Sequence, residues 1–193
     1  MRTIIFYIFL ATCGIALGGV SAWYSIRHVH GFAAIDIGVW TAYPFAAADE
    51  IDPYTVARSV AEGTVPLGVS EGLAFETQTD DNGNVLSTDC DYDLEGTTPP
   101  SRLWTLVAYD EQGYPLKAAP GGSSSKYSGS VIRYPDGSFL ISISARPKPG
   151  NWLSLVSGQT FRLVLRLYDT SITSNTDLLV PEMPAIRRLE CRS

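Results

Sequence analysis

Basic charge, histidine and cysteine are all scarce in this chain. Its 193 residues carry 14 Lys+Arg against 20 Asp+Glu, a formal net charge of −6, and the cations form no stripe. That balance excludes a nucleic-acid binder, whose affinity rests on a basic face that neutralises phosphates. Histidine occurs only at His28 and His30. A hydrolase triad in the α/β-hydrolase order needs a histidine downstream of its nucleophile. The three cysteines, Cys13, Cys90 and Cys191, form no CxxC pair, so the usual zinc spacing is missing and no cofactor is called for. There is no internal repeat. With hydrophobic residues at 45% and charged ones at 18%, disorder is excluded as well.

What is present begins at the N-terminus. "TIIFYIFLATCGIALGGVSAWY", Thr3 to Tyr24, contains no charge, and a bilayer core takes about 20 apolar residues in a helix. Arg2 stands before this run, Arg27, His28 and His30 stand after it, and Trp23 and Tyr24 suit the interface. Residues 1–26 are therefore expected to be a transmembrane anchor and residues 27–193 an exported domain. Cleavage after Ala22 competes, because Val20-Ser21-Ala22 is an acceptable signal-peptidase site. The apolar run is longer than the roughly 7–15 residues of a signal peptide, which favours the anchor.

The cysteines follow from this. Cys13 falls inside the span, as a small hydrophobe. An exported domain meets an oxidising compartment, so Cys90 and Cys191 are expected to pair; two unrelated buried thiols are the alternative. The bridge would close a loop of about 100 residues, worth up to roughly 4–5 kcal/mol, and staple the tail to the sheet.

Along the domain, "DPYTVARSVAEG" reads as a short helix, with Asp52 as N-cap, Pro53 at N1 and Gly63 past its end. From Leu73 the period becomes two. "LAFETQT" leads into the tight-turn step Asn82-Gly83, and the return strand places Cys90, Tyr92 and Leu94 inward and Asp89, Asp91 and Asp93 on a wet face. The acidic runs Asp49, Glu50, Asp52 and Asp80, Asp81 read as solvated loops. "RLWTLVAYD" is apolar on both faces, as in a central strand. "SVIRY" and "SFLISISA" flank a Pro135-Asp136-Gly137 turn. "QTFRLVLRLYDT" sets Phe161, Leu163, Leu165 and Leu167 against Arg162, Val164, Arg166 and Tyr168. Six or so strands with regular turns predict a β-sandwich.

"DPYTVARSVAEGTVPLGVSEGLAF", "CDYDLEG", "RLWTLVAYDEQG", "NWLSL" and "RLVLRLYD" stand in an order and spacing that resembles a bacterial family, domain of unknown function 1214, over roughly residues 40 to 190. The resemblance implies a mainly β, jelly-roll-like sandwich. It also implies an N-terminal membrane segment in small members and, in larger ones, fusion to a companion, domain of unknown function 1254. It implies no activity.

Several motifs invite a catalytic reading and fail on context. "GVSEG", Gly68 to Gly72, matches a nucleophile elbow, but a strand-like run follows the serine where a helix is required. "DCDYD" lacks the Gly and Glu that an EF-hand needs at positions six and twelve. His28 and His30 have no acidic or thiol companion beside them, so they serve the interface rather than a metal. Glu71 is the acid least obviously solvated, yet it has no identifiable partner for paired-carboxylate chemistry. Arg166 either pairs with an acid such as Glu71 or joins Tyr168, Trp104 and Trp152 in a polar-aromatic ligand groove.

The resulting expectation is a single-pass protein of the bacterial inner membrane with its C-terminal domain in the periplasm. That domain would be a non-enzymatic binding or assembly module with an envelope-protein partner. The alternative is an envelope enzyme, or a carbohydrate- or lipid-binding module, using Glu71, Arg166 and the tryptophans.

Overall fold

A computed structural model of the chain describes residues 2–28, 34–42, 57, 60, 71–170 and 181–192. Helix α1 spans Arg2–His28. Its segment Arg2–Ser25, 24 residues of mean hydropathy 2.1, has none of its length buried. At about 1.5 Å per residue this outreaches a hydrocarbon core of about 30 Å. The Thr12 hydroxyl donates to the Ile8 carbonyl at 2.7 Å, so this polar group is satisfied within the helix. The helix is long and apolar enough to be a membrane anchor or a signal sequence.

The strands are β1 Ile35–Ile37, β2 Trp40–Ala42, β3 Gly72–Thr77, β4 Cys90–Gly96, β5 Ser101–Tyr109, β6 Ser125–Tyr127, β7 Phe139–Ser144, β8 Asn151–Ser154, β9 Arg162–Thr170 and β10 Ala185–Cys191. They form a six-stranded sheet, β1-β2-β3-β9-β5-β6, and a four-stranded sheet, β10-β4-β7-β8. All neighbours are antiparallel except β7 and β8, which run parallel. The expected sandwich is therefore present, with more strands than the turn signals suggested.

Alternation builds its interior. Leu73 and Phe75 of β3, Trp104 and Leu106 of β5, and Leu163, Leu165 and Leu167 of β9 are buried on one sheet. Tyr92, Leu94, Ile141, Ile143, Leu153 and Ile186 face them from the other. Aromatic pairs cross between the layers, Tyr92 with Phe161 edge-to-face at 5.9 Å and Trp104 with Phe139 at 5.2 Å. Each such side chain contributes roughly 1.5–3 kcal/mol of burial.

Cys90 and Cys191 form a disulfide. They are register partners on β4 and β10, just past an irregularity between Arg188 and Cys191. The tail is also held without the sulfurs. Ile186 exchanges hydrogen bonds with Asp81, whose N–H donates to the Ile186 carbonyl at 3.0 Å while its carboxylate accepts from the Ile186 N–H at 2.8 Å. The Trp40 indole donates to the Pro184 carbonyl at 2.9 Å.

Five expectations need correction or restriction. The Asn82-Gly83 turn forms, closed by a Thr79–Val85 bridge, but its return chain leaves for the other sheet. β3 pairs with β2 and β9, whereas β4 pairs with β10 and β7. The Pro135-Asp136-Gly137 turn forms too, with only its second arm a strand. Asp80 is not a solvated loop acid: it is fully buried, accepting from the backbone of Asn82 and Asn84 and paired with Arg188 at 3.0 Å. Asp91 is not on a wet face: it is buried, with Ser144 and Lys148 against its carboxylate. Of the expected helix at 52–63, only Ala57 and Val60 are described, both helical; Asp49, Glu50 and the rest of that segment lie outside the described residues.

Candidate ligand face

The outward side of the six-stranded sheet is set by the register of β9 against its two neighbours. Tyr168 lies between Gly72 and Leu103, Arg166 between Ala74 and Thr105, Val164 between Glu76 and Val107, and Arg162 opposite Tyr109. Beyond Thr105 the row continues to Tyr127. The Tyr109 ring reaches diagonally across the Val164 row. Its hydroxyl accepts a hydrogen bond from the Arg166 guanidinium at 2.8 Å. Both guanidiniums approach the ring, Arg166 at 5.2 Å and Arg162 at 5.9 Å from its centroid. Such cation–aromatic contacts are attractive through the ring quadrupole.

The two arginines differ in what balances them. Arg162 is 8% exposed and pairs with Glu76 at 3.4 Å. Arg166 is half-buried and has, among the described residues, Tyr109 but no carboxylate within ion-pair reach. The Arg162 end of this face is closed, with Val164 1% exposed, while Leu103 and Tyr127 at the other end are 38% and 52% exposed.

The expected groove is not assembled as a unit. Trp104 points the other way, into the core, with Arg133 over its ring at 5.8 Å. Trp152 belongs to the outward side of the four-stranded sheet, where its indole donates to the Ser144 carbonyl at 2.9 Å. Glu71 is exposed at the turn entering β3, its carbonyl accepting from Asp169 N–H at 3.1 Å. Only Arg166 and Tyr168 share a surface. Tyr109 is the member that sequence reasoning missed. The signal existed: Tyr109 shares the outward parity of Thr105 and Val107, hidden because "RLWTLVAY" reads as apolar on both sides.

The outward side of the four-stranded sheet is closed by its own charges. The Ser144 hydroxyl donates to Asp91 at 2.7 Å, Lys148 lies 2.8 Å away and Arg146 3.7 Å away. Burial works to raise the Asp91 pKa. The Lys148 and Ser144 hydrogen bonds and the two cationic charges outweigh it and hold the carboxyl below its ordinary value. The loop after β7 thus covers Asp91, which is 2% exposed. Asp93 accepts from Ser142 at 3.1 Å, and Glu95 pairs with Arg187.

Among the described residues no cluster of His, Cys, Asp and Glu could hold a metal ion, and His30 lies outside them. Gly72, the last glycine of "GVSEG", has a structural purpose. A side chain there would collide with the Leu167 carbonyl, and its φ is +154°, a conformation that favours glycine. Gly68 to Ser70 are outside the described residues.

The fold is shared with a solved structure from Vibrio. The VPA0106 protein from Vibrio parahaemolyticus superposes with a TM-score of 0.56 at 19% identity, over 72% of this chain and 36% of that one. A putative uncharacterised protein from Burkholderia cenocepacia gives a TM-score of 0.44 at 16% identity, over 78% and 47%. The chain thus spans less than half the length of either neighbour. No curated protein matches it. The model of the family described as protein of unknown function (DUF1214) matches residues 71–172, more than half of the chain, and the chain belongs to that family.

Proposed function

We propose that this protein is held at the bacterial inner membrane by α1 and presents its β-sandwich to the periplasm as a binding or assembly module. The observation that carries the reading is the Cys90–Cys191 bridge on the C-terminal side of the uncharged helix. Structural disulfides persist in oxidising compartments, and a helix of this length and composition is suited to crossing a bilayer. We take the partner of that module to be another envelope protein.

The test is the intact mass of protein from the host membrane fraction, after thiol blocking without and then with reductant. Two further labels appearing only after reduction, on a full-length mass, are the expected outcome. Labelling of all three thiols before reduction would put the domain on the cytoplasmic side and end this reading. A mass beginning at Trp23 would make it a released periplasmic protein.

A further inference from the structure

We propose that Arg166, with Tyr109, Thr105, Tyr127 and Tyr168 around it, forms a binding site for the carboxylate of an acidic sugar. The inference rests on the binding role proposed above and names its ligand chemistry.

β9 carries two arginines, Arg162 and Arg166. They lie four residues apart on one face and lean on one ring, so a purely structural purpose would treat them alike. Arg162 is buried and matched by Glu76. Among the described residues Arg166 has only the neutral Tyr109 hydroxyl and ring, which engage one of its five N–H donors in a hydrogen bond. A half-buried cation without a counterion carries a desolvation cost that an arriving anion removes. Tyr109 meanwhile holds the guanidinium plane in place, so little freedom is lost on binding.

The surroundings define the anion. Thr105 stands directly beside Arg166 and Tyr127 beyond it, while Tyr168 is the next outward residue of the strand. No hydrogen bond engages the side-chain hydroxyls of these three among the described residues. On the β3 side the partners of Arg166 and Tyr168 are Ala74 and Gly72, so the surface dips beside the guanidinium. One planar fork matches one carboxylate bidentately. A phosphate dianion calls for more positive charge than a single arginine on a chain of net charge −6 supplies. Free hydroxyls and tyrosine faces suit the hydroxyls and C–H faces of a pyranose ring.

The experiment is calorimetric titration of the full-length protein in detergent micelles with glucuronate, glucose and inorganic phosphate. Glucuronate should bind at least tenfold more tightly than the other two. Arg166→Gln should weaken it tenfold or more while moving the melting temperature by no more than about 4 °C, and Arg187→Gln, on the other sheet, should bind as the parent does. If Arg166→Gln fails to fold, Arg166→Lys keeps the charge and should still lose about tenfold, because the fork is gone. Equal binding of glucose, tighter binding of phosphate, no binding of any probe, or full affinity in the Arg166 variant would each overturn the assignment. The purified protein binds wherever it resides in the cell. Export shown by the thiol experiment with no glucuronate binding would therefore remove the ligand alone, and binding without export would remove the location alone.

Discussion

The two outward faces of the sandwich are both polar, yet they are polar in different ways. On the four-stranded sheet each carboxylate of β4 meets a donor: Asp91 has Ser144 and Lys148, Asp93 has Ser142, and Glu95 has Arg187. On the six-stranded sheet Arg162 is matched, whereas Arg166 has no carboxylate partner among the described residues. A charge whose partners are all built into the chain contributes to stability. A charge with donors to spare is available to something else. Charge content alone does not distinguish the two faces, since it is their internal balance that differs.

Substitutions should separate them by size of effect. Cys90→Ala with Cys191→Ala removes the loop constraint on the four-stranded sheet and should cost about 4 kcal/mol, read as a lower urea midpoint that reductant reproduces in the parent. Asp80→Ala leaves Arg188 facing the layer without its carboxylate and should cost about 3 kcal/mol, measured by the same denaturation. A loss equal to that of an exposed aspartate would show the Asp80–Arg188 pair to be ornamental.

Asp91→Asn should cost about 1–3 kcal/mol at neutral pH, and its pH dependence sharpens the comparison. Burial pushes the pKa values of Asp80 and Asp91 upward, and hydrogen bonds and cations more than offset it, so both are lowered in the fold. Their contribution is fully present above the unfolded value of about 3.9. It is lost as pH falls through the lower folded values, because the unfolded chain takes up protons first. Asp91→Asn should therefore flatten the acid side of the stability profile. The smallest effect belongs to the other face: Arg166→Gln should change stability by about 1 kcal/mol or less, and a large loss there would mean that Arg166 is a structural group after all.

How much of this was legible in the sequence depended on range. Alternation in "RLVLRLYD" placed Leu163, Leu165 and Leu167 inward, and cysteine arithmetic with an uncharged N-terminal run produced the bridge. Both are short-range or counting arguments. The partnership of β3 with β9 rather than β4 was not legible, because a tight turn dictates where the chain reverses and not which sheet it joins next. The burial of Asp80 was hidden for the same reason, since its cation, Arg188, arrives from more than 100 residues away. The five candidate site residues were chosen by chemistry without register. Parity within β5 turns Trp104 inward and Tyr109 outward, and that single alternation moved the site.

The disulfide has a topological consequence. Residues 90 to 191 form a covalent ring that encloses β4 to β10 and most of the family-matched segment. A protease that cuts once within this ring, for example in the exposed turn at Pro135 to Asp136, opens the ring but releases no fragment. The nicked chain remains one molecule until its sulfurs are reduced, so the bridge makes this part of the domain tolerant of a single cut.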